Sequence, residues 1–371
     1  MRLSKYKLGE LTERSTANNR TLEYGAELIA GVNNDGVFTI PKGDPIDVDL
    51  KPYKIVNDGA FVYNPTRLEL GSIAHRTSGR CIVSHLYQVF YLNAKGKEIL
   101  DPVYLFMFFR RDEFYRQVKF RNFGSQRPEF SYSDMAEIEI TLPPIEHQRK
   151  FVNVYMSLQK NIEAYQSKIE ELKIVCDGYL DQLKAKSKKE KVGELLGEVD
   201  CRNSGSKITS VMGINIEKKF MDSVADTNGV DLSKYKIVHK NEFAFSGMQT
   251  RRDECIRIAL NEEDEPLIVS PAYTVLKLKN SSVLCHYIML WFSRKEIDRY
   301  GWFASDGSIR SNLDLERFYE MEIPTPSLDI QKNVVKIYCC YLERQRIAAE
   351  LKEQLHDLCP ILIKGSLLNN N

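Results

Sequence analysis

Glu139-Ile140-Thr141-Leu142-Pro143-Pro144 leads to Gln148 and then into a helical run through Phe151 and Tyr155. Glu322-Ile323-Pro324-Thr325-Pro326 leads in the same way to Gln331, Val334 and Tyr338, about 183 residues later. Working outward, Gly124-Ser125-Gln126-Arg127 is answered by Gly307-Ser308-Ile309-Arg310 at the same offset. Gly9-Glu10-Leu11 is answered by Gly193-Glu194-Leu195, and Tyr53-Lys54-Ile55-Val56 by Tyr235-Lys236-Ile237-Val238. Ile82-Val83-Ser84 with Tyr87 is answered by Ile268-Val269-Ser270 with Tyr273. An internal repeat of domain size fixes the architecture before any single element is read. It predicts two globular segments alternating with two helices: 1–143, 144–187, 188–326 and 327–365, with 366–371 as a disordered tail.

The length of 371 residues allows each globular segment its own core. No apolar run is long enough for a bilayer and Met1 opens no signal peptide, so a cytoplasmic protein without membrane partners is expected. The eight cysteines contain no C-x-x-C pair, which fits reduced thiols. The six histidines lack metal-ligand spacing, and no metal site is expected. A formal net charge of +1 is neutral on nucleic-acid binding, so local charge decides.

Within each globular segment, Val-, Ile-, Tyr- and Phe-rich runs alternate with Gly, Asn and Asp. Phe61-Val62-Tyr63, Ile82-Val83-Ser84 and Gln88-Val89-Phe90-Tyr91 read as strands. Tyr104 to Arg116 and Tyr287 to Arg299 each read as one helix, which makes the fold class α+β. Phe151, Tyr155, Leu158, Ile162, Tyr165, Ile169, Leu172, Cys176, Tyr179 and Leu183 form a heptad seam on the first long helix. That helix should be roughly 55–60 Å long at about 1.5 Å per residue. Pro143-Pro144 and Glu146 mark its start. The second long helix holds the register at Val334, Tyr338 and Tyr341, but Gln345 and Lys352 then break it. Its apolar stripe shifts to Ile347, Leu351, Leu355, Leu358 and Leu362, and Pro360 should kink or end it near Cys359. The natural partner for either stripe is the other helix, as in a coiled coil.

The stretch Arg110 to Arg127 is locally basic, with Arg110, Arg111, Arg116, Lys119, Arg121 and Arg127 against Asp112 and Glu113. Tyr115, Phe120, Asn122 and Gln126 are interleaved with them. Arg, Asn and Gln make bidentate contacts to base edges, while Lys and Arg neutralise phosphates. The counterpart carries Arg294, Lys295, Arg299, Trp302, Ser305, Ser308 and Arg310. A further candidate loop is Gln249-Thr250-Arg251-Arg252, answered by Thr66-Arg67 and by His75-Arg76. The DNA-contact candidates are therefore Arg67, Arg116, Lys119, Arg121, Gln126, Arg127, Gln249, Arg251, Arg252, Arg299, Ser308 and Arg310. A solvated helix face with a basic end, or turns in which Arg caps a carbonyl, explains the same residues without DNA.

No G-x-x-x-x-G-K-[ST] loop is present, and Asn64-Pro65-Thr66-Arg67 lacks the second proline and the aromatic of an amino-methyltransferase motif. No catalytic constellation is visible. The doubled pattern resembles the specificity subunit of type I restriction–modification systems. Leu142-Pro143-Pro144 with Gln148 is similar to that family's Leu-Pro-Pro-x-x-x-Gln motif. Pro326 and Gln331 repeat it, with Thr325 and Ser327 replacing Leu and the second Pro. Phe61-Val62-Tyr63-Asn64 through Gly71-Ser72 is similar to a segment of its recognition domains.

The resemblance implies two pseudo-symmetric target-recognition domains on paired antiparallel helices. It implies a non-catalytic chain reading a bipartite double-stranded DNA target and setting the spacer. It also implies methyltransferase subunits, two in number, restriction subunits in the full complex, and S-adenosylmethionine, ATP and Mg held by those partners. Helix faces around Gln148 and Gln331 are then the expected partner surface. A single-partner restriction enzyme's recognition subunit, or a coiled-coil scaffold that binds no DNA, are the alternatives.

Overall fold

The computed structural model describes residues 3–40, 48–122, 129–223, 229–248, 250–306 and 312–368, the Arg251 side chain excepted. The chain divides into two compact units, residues 1–164 with 347–371, and residues 165–346.

The first unit is built on an antiparallel sheet ordered Thr12–Arg14, Gln88–Leu92, Phe61–Tyr63, Ile73–His75. All three residues of Phe61–Tyr63 are buried, because both faces of the sheet are covered. Phe61, Tyr63 and Phe90 face the helices, while Val62, Ala74 and Val89 face Val32, Val56 and Val83 on short flanking strands. Phe61 stacks on Phe90 at 5.2 Å between ring centroids, and Phe109 meets Phe90 edge-on at 6.2 Å. The second unit repeats the plan with Leu196–Val199, Thr274–Leu278, Phe243–Ser246 and Arg257–Leu260. Its flanking strands join into one four-stranded sheet, in which Val211–Ile214 runs parallel to Leu267–Val269.

The repeated Glu-Ile stretch is the closing strand of each domain. Glu139–Leu142 pairs with Ser4–Lys7, and Glu322–Pro324 pairs with Lys189–Lys191. The end of the domain is thus tied to its beginning just where the long helix departs. The retained Gly9 and Gly193 allow the following turn to approach a short helix closely. A Cβ at Gly9 would lie 2.9 Å from Ala136 Cβ, and one at Gly193 would lie 3.0 Å from Tyr319 Cβ.

Each stretch expected as a single helix is two. Pro102–Phe109 is followed by Asp112–Arg121, and Cys285–Phe292 by Lys295–Ala304. Arg111 (φ −96°, ψ 141°) and Arg294 (φ −80°, ψ 133°) are extended and break the run. The apolar pattern crosses the break because both helices of each pair bury residues in the same core, such as Phe109 with Phe114 and Phe292 with Ile297.

The long helices span Ile145–Lys186 and Leu328–Leu367. In the first unit, Val152, Tyr155 and Ile162 share a core with Leu355, Cys359, Leu362 and Ile363. In the second, Cys176, Leu180 and Leu183 share one with Val334 and Tyr338, and Arg344 lies over the Tyr165 ring. Within each unit the two helical segments are antiparallel. The seam departs from expectation near its end: Tyr179 is 39% exposed and Leu180 is fully buried in its place.

Pro360 does not end the helix. The helix runs on to Leu367 with Pro360 exposed, while its neighbours Cys359, Leu362 and Ile363 are buried. Packing of those flanking side chains outweighs the lost backbone hydrogen bond. Ser366, expected in the disordered tail, is buried and shares a 2.6 Å hydrogen bond with the Tyr104 hydroxyl.

Gln148 and Gln331 are fully buried. The Gln148 amide donates to the carbonyls of Ile99 and Pro143, each at 2.8 Å, and accepts from the Asp101 N–H at 3.0 Å. Gln331 donates to Ser282 and Pro326 at 2.9 Å and accepts from Leu284 N–H at 3.0 Å. Every partner is shifted by the same 183 residues. The expectation that these glutamines meet a partner protein is therefore corrected: each amide is consumed inside its own unit. Gln148→Ala and Gln331→Ala should each cost about 2–4 kcal/mol, since three buried backbone groups lose a partner. Urea unfolding checks this, and an unchanged midpoint would show that the pins carry no stability.

Candidate nucleic-acid interface

The helix Asp112–Arg121 turns Phe114 and Val118 into the core. Its other side exposes Arg116, Lys119, Phe120 and Arg121. Acidic residues occupy the first turn and basic ones the last, an order that also favours the helix dipole. Arg116 pairs with Glu113 one turn back while keeping 77% of its side chain exposed. In the second unit, Lys295–Ala304 turns Ile297 and Gly301 inward and exposes Lys295, Arg299, Tyr300 and Phe303.

A turn after the central strand packs on each of these helices. In the first unit it is Leu68–Leu70, preceded by exposed Arg67; in the second it is Thr250–Asp253, which carries exposed Arg252. The fold thus sets Arg67 on an element adjoining that of Arg116, Lys119 and Arg121, and Arg252 on one adjoining that of Arg299. Arg252 is engaged with Asp253 at 3.2 Å. Asn64 organises the first turn, its Oδ1 accepting from the Thr66 N–H at 3.1 Å. Gln126, Arg127, Gln249, Ser308 and Arg310 lie outside the described residues, as does the Arg251 side chain.

Other basic residues of these stretches serve the fold. Arg110 donates to the carbonyls of Gly71 at 2.8 Å and Asn34 at 3.1 Å. Gly71 itself needs its left-handed φ of +97°, and a Cβ there would lie 2.3 Å from Asn34 O. Arg111 donates to Phe108 O at 3.0 Å and closes the preceding helix. Arg294 is only 4% exposed and pairs with Asp177, Asp181 and Glu296, tying the helix break to the first long helix. These three are removed from the basic face, because their guanidinium groups are directed inward.

Sequence reading passed over two features. Asn19 and Asn203 are buried, and each side chain clamps a loop, bonding Tyr24 N–H and O or Ile208 N–H and O. Their spacing, one residue more than the main offset, was the available signal. Lys218 is buried at φ +62° and donates to Ile256 O at 3.0 Å and to Asp298. It fills the role that Arg110 has in the first unit, with the cation supplied from the turn instead of the helix.

His75 is not a surface contact. It stacks on Phe61 at 4.6 Å, and burial pushes its pKa down to about 4. The unfolded state binds this proton between about pH 6.5 and pH 4 while the folded state does not. Stability of the first unit should therefore fall with acidification through that window, by an amount on the order of 2–3 kcal/mol. His75→Phe should remove this component. Urea midpoints of variant and parent that stay parallel from pH 7 to about 4 would contradict the assignment.

A family model described as the type I restriction modification DNA specificity domain matches residues 5–173 and again 209–357. The fold is similar to that of the type I restriction-modification system S subunit from M. genitalium, with a TM-score of 0.60 at 13% identity. That alignment covers 100% of this chain and 97% of the other. The HsdS subunit from Thermoanaerobacter tengcongensis aligns at 15% identity over 98% of this chain and 96% of that one, with a TM-score of 0.38. No curated protein sequence matches the chain.

Proposed function

This chain belongs to the type I restriction–modification DNA specificity family, and from that premise we propose that each unit reads one half of a split, asymmetric DNA target. The observation that carries the reading is a frame that repeats while its exposed loops do not. Gln148 and Gln331 hold equivalent carbonyls and amides, whereas the clamped loops Arg20-Thr21-Leu22-Glu23 and Ser204-Gly205-Ser206-Lys207 share no residue. Equivalent frames present different side chains, and different side chains select different bases.

On this proposal Arg67, Arg116, Lys119, Arg121 and Arg127 serve the first half-site. Gln249, Arg251, Arg252, Arg299, Ser308 and Arg310 serve the second, and Gln126 adds a base-reading amide to the first. The long helices hold the two readers at the spacing of the target, because a stiff connection preserves a gap that a flexible linker would blur. Methyltransferase subunits dock on the outer helix faces, where Val154, Ile174, Val175 and Ile361 are exposed. The chain itself carries no catalysis. Its methyltransferase and restriction partners supply S-adenosylmethionine, ATP and Mg chemistry in the cytoplasm.

DNA affinity measured against salt concentration tests the reading. Phosphate contacts release counterions, so affinity should fall steeply as salt rises. Arg127→Ala and Arg310→Ala should each weaken binding, by about 1–3 kcal/mol with one relaxed position if the residue reads a base. A chain with no salt-dependent affinity for duplex DNA would be a protein scaffold instead.

A further inference from the structure

The two basic helices align residue for residue at the 183-residue offset, and only three of their ten positions are identical: Glu113/Glu296, Arg116/Arg299 and Phe120/Phe303. The glutamates have internal roles. Glu113 accepts from Arg116 and Gln117, and Glu296 bonds Arg294 and Lys184. The buried positions have diverged, Phe114 to Ile297 and Val118 to Gly301. Retention is therefore inverted relative to what packing demands, since an exposed pair persists where core residues did not.

Phe120 is 82% exposed and Phe303 is 78% exposed. In each helix the phenylalanine follows the arginine by four residues, which places both on one face. An isolated exposed apolar residue needs no explanation, but the same one beside the same cation in two diverged domains does. Lys119 and Arg121 adjoin the pair in the first unit, and Lys295 lies one turn before it in the second. Phe303 borders a shallow groove with Tyr300, Ala304, Glu316, Arg317 and Glu320, where Glu320 is already paired with Lys191.

We propose that Arg116–Phe120 and Arg299–Phe303 form a docking pair common to both domains, with the arginine on a backbone phosphate and the ring against sugar and base edges of duplex DNA. The inference rests on the DNA-recognition reading above and sharpens it. Domains that read different half-sites can share a contact only with what every sequence has in common, so this pair positions the duplex and does not specify it. Apolar side chains set against the base stack are an established way of holding DNA without reading it. The exposed cations on the same helices, Lys119 and Arg121 beside Phe120 and Lys295 with Arg299 beside Phe303, favour a polyanion over a protein surface as the occupant.

The test titrates the full chain, across salt concentrations, against fluorescein-labelled duplexes carrying either its mapped target or random sequence. Phe120→Ala and Phe303→Ala should each weaken both duplexes by about tenfold, with the salt slope unchanged. Arg116→Ala and Arg299→Ala should each reduce the slope of log affinity against log salt by about one. No variant should alter the sequence that is methylated. All four side chains are exposed, so urea midpoints should match the parent. Phenylalanine variants that bind like the parent, or that change the recognised bases, overturn the proposal. So does loss of methyltransferase-subunit binding with DNA affinity intact, which would make the rings a protein contact. A parent chain without affinity for either duplex overturns the DNA-recognition reading as well, which separates the two failures.

Discussion

One buried amide per unit organises the rest. Gln148 joins Pro143, just past the closing strand, to Ile99 and to Asp101, the residue capping the start of the next helix, and Gln331 does the same at Pro326, Ser282 and Leu284. A glutamine can satisfy one buried N–H and two buried carbonyls at once, and no apolar residue of similar size can. The long helix cannot tilt against its domain without breaking these bonds, because each lost partner leaves a buried polar group unsatisfied. The direction in which the helix leaves the domain is thereby set by hydrogen bonding, and the apolar seam adds contact area to it. Reader and connector become one rigid body within each unit, a condition for a basic helix to be presented in a defined direction.

The frame was legible because it is periodic or punctuated. The strands at Phe61–Tyr63 and Gln88–Leu92, the helix starts after Pro144 and Pro326, and the repeat itself follow from local chemistry that nothing in the tertiary structure opposes. The misses have a common cause in tertiary context. The break at Arg111 was invisible because two helices share one core, so the apolar pattern runs through it. Pro360 reads as a kink or an end in a helix that side-chain packing carries onward. A glutamine at a helix start reads as surface until its three partners are seen.

The candidate site was legible only in part, for an electrostatic reason. A cluster of arginines in sequence does not say which guanidinium groups are consumed by the fold. Arg110, Arg111 and Arg294 are spent on carbonyls and carboxylates, whereas Arg116, Lys119, Arg121 and Arg299 remain at the surface. The exchange of Arg110 for Lys218 shows how the two units drifted. The same joint is bridged from opposite sides, so the frame survives although the residues that hold it do not align. That freedom lets the loops diverge without loss of the fold.

The central claim is that each unit reads its own half of the target on a shared frame. Replacing residues 1–142 with the corresponding domain of another family member, then mapping methylated sites in cells that also carry the methyltransferase subunit, tests it most directly. One half of the methylated sequence should change while the other half and the spacer stay as they were. A target unchanged in both halves, or changed in both, would contradict the account.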